Sequence, residues 1–163
     1  MTRTPRLFLG ALAVTASAWL AGCATTPAPA SIADTAARTP ELSTLNRLIQ
    51  EAGMADTLRA AGPYTVFAPS NEAFKAVPAK TMAELEGNKE LLKSVLGYHV
   101  LQGKVASADV KDGQVATLQG AKVAVSHAGD FVTVDDALVQ QADVPATNGV
   151  IHVVDRVLMP PKK

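Results

Sequence analysis

Two hydrophobic periods divide the chain. From Ser31 the apolar positions recur three and four residues apart, the spacing that lines one face of a helix. Thr39-Pro40-Glu41 predicts a helix start, with a capping hydroxyl, a proline at the first helical position and an acid in the first turn. Leu42, Leu45, Leu48, Ile49 and Ala52 form its apolar stripe, and Gly53 stands where a helix stops. A short second helix is expected over Met54 to Ala61, ended by Gly62-Pro63. Asn88 is placed to cap another, with Leu91, Leu92, Val95 and Leu96 as its buried face. Between these, Thr65 to Phe67 reads as a buried strand. Pro69-Ser70 turns it into a helix that Ser70 caps, with Asn71 and Glu72 in the first turn and Phe74 directed to the core.

The second half is written in short β-branched runs: Val115 to Leu118, Lys122 to Ser126, Phe131 to Val134, Ala137 to Ala142 and Val150 to Leu158. Gly113, Gly120, Gly129-Asp130 and Asn148-Gly149 punctuate them as hairpins, and Asp135-Asp136 falls at a turn. The last run is apolar on both faces, as a central strand is. Helices followed by mostly antiparallel strands predict an α+β domain.

Composition narrows the function. The 163 residues carry 15 Lys+Arg against 15 Asp+Glu, 48% apolar and 4% aromatic residues. Balanced charge and few aromatics argue against a nucleic-acid partner. The N-terminus reads as an address. Two arginines precede an uncharged run from Leu7 to Leu20, which is short of the roughly 20 residues that span a bilayer. Leu20-Ala21-Gly22-Cys23 resembles the lipobox of bacterial lipoproteins, which implies a signal peptide over residues 1–22 and a lipid on Cys23, the only cysteine. That maturation leaves 13 Lys+Arg against 15 Asp+Glu, a net charge of −2, and no thiol for a disulfide, metal or nucleophile. Residues 23–30 would form the lipidated start and a Pro/Ala tether, leaving residues 31–160 as the folded domain. Ala24, in place of an inner-membrane-retaining Asp, favours the outer membrane, on its periplasmic face or at the cell surface.

Chemistry-bearing patterns are sparse. His99, His127 and His152 lie 28 and 25 residues apart, without metal-ligand spacing. His152 reads as satisfying a buried backbone group, His99 with Tyr98 as a core hydrogen-bonding pair, and His127 as a loop residue. The chain lacks a Gly-x-Ser-x-Gly elbow, a His-Glu-x-x-His motif and a glycine-rich phosphate loop. The expectation is a protein with no catalytic residues, cofactor or metal.

Thr65-Val66-Phe67-Ala68-Pro69-Ser70-Asn71-Glu72-Ala73-Phe74 and Asn148-Gly149-Val150-Ile151-His152-Val153-Val154-Asp155 resemble the two signatures of the fasciclin domain, with Tyr98-His99 matching the tyrosine-histidine pair between them. The one departure noticed is Ser70, where many members have Thr. This resemblance implies a β-sandwich or wedge of short strands decorated by N-terminal helices. Functionally it implies an adhesion or interaction module with a protein or polysaccharide partner in the envelope, the matrix or another cell, besides the membrane contact through Cys23. Carried over residue by residue, it points to Tyr98 and His99, and to Asp143-Val144, which matches an Asp-Ile pair with Val for Ile. The alternative is a periplasmic or surface carrier of a small apolar ligand, using a cleft between sheet and the helices over residues 41–52 and 88–101.

Overall fold

The computed structural model describes residues 30–129 and 131–161. The expected signal peptide, Cys23 and nearly all of the tether lie outside these residues.

Among the described residues six α-helices, with one strand between the third and the fourth, precede the remaining strands. Helix α1, Ile32–Arg38, is capped by Ser31, whose Oγ accepts from Asp34 N. A 3-10 turn, Pro40–Leu42, leads into α2, Ser43–Glu51, and α3 follows over Ala55–Arg59. The single helix expected from Thr39 is therefore split. Thr39 Oγ1 donates back to Thr35 O at 2.8 Å and caps nothing. The α2 N-terminus is instead served from a distance: Asn71 Oδ1 accepts from Thr44 N at 3.0 Å, and Asn71 Nδ2 donates to Pro40 O at 2.9 Å. Strand β1, Tyr64–Pro69, runs into α4, Asn71–Lys75, which Ser70 caps through Ala73 N as expected.

Helix α5, Ala79–Gly87, was not expected from the sequence, because Leu85 is its one fully buried residue and its apolar stripe is thin. Helix α6, Lys89–Tyr98, begins at Asn88, whose Oδ1 accepts from Glu90 N and Leu91 N at 3.1 Å each. Its buried face is Leu92, Val95 and Leu96. Leu91 turns outward and is 37% exposed, a correction to the expected stripe.

The strands β2 (Val100–Gln102), β3 (Gly113–Ala116), β4 (Lys122–Ala128), β5 (Phe131–Val134), β6 (Ala137–Ala146) and β7 (Gly149–Val154) complete a seven-stranded sheet. Its order is β2-β1-β7-β6-β5-β4-β3, with β1 and β7 parallel and the remaining pairs antiparallel. His127 belongs to β4 and is exposed, so it is a strand residue where a loop was expected. The two edges meet: Leu101 bridges Thr117, and Leu118 N donates to Val100 O at 2.7 Å. The sheet thus folds over into a wedge, and both central strands are buried on both sides.

Alternation along β1 and β7 sorts the core into two compartments, because successive strand residues face opposite sides. Val66, Ala68, Ile151 and Val153 face the helices and pack with Leu45, Leu48, Ile49, Leu92 and Val95. Phe67 and Val154 face the inside of the wedge with Leu101, Val123, Val125, Val132 and Val134.

Asn148-Gly149 does not form the centre of the last hairpin. Ala146 pairs with Gly149, so Thr147 and Asn148 make the turn. Gly149 is required for another reason: a Cβ there would lie 1.9 Å from Tyr64 O, across the parallel pairing of β1 and β7. Asn148 bolts the helices to this turn. Its Oδ1 accepts from Ile32 N at 2.9 Å, and its Nδ2 donates to Leu58 O at 2.7 Å and Ala60 O at 2.9 Å.

Candidate functional site

Strand β6 loses its regular register twice, between Val139 and Gln141 and between Gln141 and Val144. The irregular stretch Gln140 to Asp143 is exposed, and Asp143 sits at φ +57°, a left-handed conformation that Asn and Asp tolerate better than most residues. Three contacts hold it there. Asp143 N donates to His152 Nδ1 at 3.2 Å, Asp143 Oδ1 accepts from Ser107 N at 2.9 Å, and Asp143 Oδ2 accepts from Ser107 Oγ. These Ser107 hydrogen bonds hold the carboxyl below the usual carboxylate range, aided by the nearby positive charge of Lys104 and opposed by partial burial. Val144, next along, is half-buried, pairs with Ile151 and packs on the helix-side core.

His152 acts beneath this bulge. It is buried, its ring stacks on Phe67 with centroids 5.7 Å apart, and its Nε2 lies 2.9 Å from Val105 O. Since Nδ1 must accept from Asp143 N, Nε2 carries the proton and donates to Val105 O. Both ring nitrogens therefore serve backbone groups, which extends the single contact expected from the sequence.

Tyr98 and His99 stand elsewhere. Both are buried, at 3% and 2% exposure, and they do not bond to one another, in contrast to the pair expected from the sequence. Tyr98 Oη lies 2.7 Å from Asp135 Oδ2 and 3.2 Å from Lys122 O; burial, and then the Asp135 carboxylate, raise its pKa. Asp135 itself sits at φ +49° and ties the β5–β6 turn to β4, accepting from Ala124 N at 3.0 Å. His99 Nδ1 lies 2.8 Å from Val95 O, and its Nε2 accepts from Leu158 N at 2.9 Å. It fastens the last turn of α6 to the C-terminal segment. Burial pulls its pKa down to about 4, against the raising effect of the Val95 carbonyl.

The two residue pairs thus share no hydrogen-bond partner. Phe67 is the link between them, giving its N–H to His99 O and its ring face to His152. Sequence reasoning missed Ser107 and Asp135. Ser107 lies 36 positions before Asp143, in a stretch without a motif, and Asp135 looked like a turn residue whose side chain faced water. Among the described residues, no group of three or more His, Cys, Asp and Glu side chains could hold a metal ion.

What the bulge offers is a carboxylate fixed in direction. A carboxylate has about four acceptor positions, and Ser107 uses two of them. Asp143 is exposed, so the remainder are open to a partner. Such a carboxylate can receive a cationic or hydroxyl-bearing group, while the neighbouring Val144 side chain packs into the helix-side core.

A mixed sheet folded into a wedge, with helices packed over one face of β1 and β7, is the architecture of fasciclin domains. The Fasciclin domain profile matches residues 40–160, and the chain belongs to this family. Among its relatives, Protein sll1483 of Synechocystis is 39% identical over 96% of this chain and 88% of its own length. Immunogenic protein MPB70 of Mycobacterium bovis is 42% identical over 80% of this chain and 69% of its own. Cell surface glycolipoprotein MPB83 of the same species is 39% identical over 80% of this chain and 60% of its own. A domain pair from the insect cell adhesion molecule fasciclin I superposes with a TM-score of 0.61 over 76% of this chain and 46% of that one. At 24% identity, that likeness concerns the fold alone.

Proposed function

We propose that this chain is an exported, lipid-anchored binding module of the cell envelope, which engages a protein or polysaccharide partner without catalysing a reaction. The observation that carries this reading is the exposed Asp143 carboxylate, locked in a left-handed bulge by Ser107 and His152 with Val144 beside it. Preorganisation of this kind lowers the ordering cost of binding and leaves lone pairs for a partner's cation or hydroxyl. Tyr98 and His99 contribute from inside, by holding the β5–β6 turn and the C-terminal segment in place. Membership of a family that includes a cell surface glycolipoprotein supports export. Leu20-Ala21-Gly22-Cys23 supports cleavage after residue 22, lipid on Cys23 and attachment to the outer membrane, with residues 31–160 as the binding domain. Two acyl chains or more give stable attachment where one does not.

Binding of cells to immobilised envelope and matrix material, compared between wild type and Asp143→Asn, tests the site. Asn keeps the left-handed conformation and removes the charge. A lost charge-assisted hydrogen bond is worth about 1.5–3 kcal/mol, a roughly ten- to hundredfold loss of affinity. Undiminished binding with an unchanged melting curve removes Asp143 from the site. In parallel, Cys23→Ala is expected to lose the diacylglycerol label and the processing that accompanies it. A variant labelled and processed like wild type removes the anchor.

A further inference from the structure

Inside the wedge, on the face of β1 and β7 away from the helices, lies a cavity of about 180 Å³. Phe67, Leu101 and His152 line it from one half of the sheet, and Val115, Val125 and Val132 from the other. The segment 103–112 crosses it as a strap and contributes Val105 and Val110, with Asp109 and Lys111 at the exposed rim. We infer that this cavity is a binding site for a compact uncharged apolar molecule, a single aromatic ring or a short branched alkyl group.

Three observations carry it. The first is size. Protein interiors hold few voids larger than a water molecule, whereas an apolar cavity of roughly 150 Å³ stays dry and takes up a ring of benzene size. The second is chemistry. His152 is the one polar side chain in the deep wall, and both its nitrogens are already spent, on Asp143 N and Val105 O. The cavity therefore presents methyl groups and ring faces, with no free polar group to reward a charged or hydrogen-bonding ligand.

The third is the cover. The strap is pinned at both ends. Thr65 Oγ1 donates to Gly103 O and accepts from Val105 N, each at 2.8 Å, and Ser107 is held by Asp143. At the far end Asp112 Oδ1 accepts from His127 N at 2.6 Å and from Ser126 Oγ at 3.1 Å. Between these anchors Val110 is half-buried over the opening, so displacement of residues 108–111 admits a ligand without disturbing the sheet. This differs from the cleft between helices and sheet expected from the sequence. There Leu45, Leu48, Ile49, Leu92 and Val95 are closed into the helix-side core. The inference is independent of the adhesion reading.

Toluene titrated into the full-length chain, followed through Val and Leu methyl resonances, is the test. The expected result is a saturable shift at Leu101, Val110, Val125 and Val132, with Leu91 unmoved in the separate groove it shares with Met159. Val110→Phe fills the cavity from the strap and is expected to weaken binding at least tenfold, leaving the Leu92, Val95 and Leu96 methyl resonances of the helix-side core in place. Val115→Leu, on a half-buried edge-strand position, fills it from the opposite wall and is expected to weaken binding several-fold. Linear shifts up to the solubility of toluene, shifts centred on Leu91 and Met159, or undiminished binding in both variants would each overturn the inference.

Discussion

Lowering the pH from 7 to 5 sets a proton against the packing of His99. In the folded protein Nδ1–H donates to Val95 O and Nε2 accepts from Leu158 N, so the buried ring is neutral with both nitrogens used. A second proton on Nε2 would point at the Leu158 N–H, donor against donor, inside the core. The folded pKa near 4 against an ordinary 6.5 expresses that conflict. The unfolded chain binds the proton first, so the stability supplied by neutral His99 is complete above pH 6.5. It fades as the pH falls from there toward 4. At pH 5 the linkage amounts to about 2 kcal/mol relative to neutrality, which is a fall of roughly 6–10 °C in melting temperature for a domain of this size.

Carboxylates held low by hydrogen bonds, Asp34, Asp112 and Asp143, lose their contribution in a separate, more acidic window, as the pH falls through the carboxylate range below about 4. Urea unfolding at pH 7, 6 and 5 for wild type and His99→Gln isolates the histidine. The variant is expected to start less stable and to change less with pH, and the difference in slope belongs to His99. Equal slopes in the two proteins would refute the argument.

Other perturbations have equally local causes. Gly149→Ala drives a Cβ into Tyr64 O and is expected to cost at least 1–3 kcal/mol, or to prevent folding, as read by denaturant titration. Asn148→Ala removes three hydrogen bonds that tie Ile32, Leu58 and Ala60 to the last turn. A loss of about 2–3 kcal/mol is expected, with faster amide exchange in α1 and α3. Asp135→Ala strains a left-handed position, leaves Tyr98 Oη with Lys122 O as its remaining acceptor and strips Ala124 N of the Asp135 carboxylate, so it is expected to cost about 1–3 kcal/mol, and Asp135→Asn less. Equal stabilities for those two variants would argue against the conformational part of that account.

Much of the fold was legible because its cause is local. Ser70 and Asn88 cap helices that begin one residue later, a contact any stretch of chain can make by itself. The Phe131–Val134 strand was read with its observed bounds, and β7 was recognisable as central because it is apolar on both faces. The errors fall where distant residues compete with local ones. Thr39 looked like a cap, but Asn71 reaches the start of α2 from 27 positions away, while Thr39 turns back to Thr35. Leu91 belongs to a helical stripe by spacing, yet it stands 37% exposed in an open groove between α6, α5 and the segment around Met159. Helix α5 was overlooked because one fully buried residue leaves almost no periodic signal.

By itself the sequence determined the class of domain, a helical first half broken by one buried strand, a strand-rich second half, and the wedge implied by the resemblance of two long motifs. The class and the elements follow from periodicity, capping and turn chemistry along neighbouring residues, and the wedge from the resemblance of the two motifs to a known family. Only the tertiary structure decided what the functional candidates do. It buried Tyr98 and His99, and it fixed Asp143 on the surface through Ser107, 36 residues earlier. It showed that Gly149 is needed for a close approach of backbones and not for the turn. It also joined Leu101 to Thr117, so that the sheet folds over and encloses a space. Each is a meeting of residues far apart in the chain, set by the register of a whole sheet, and no local pattern of side chains encodes it.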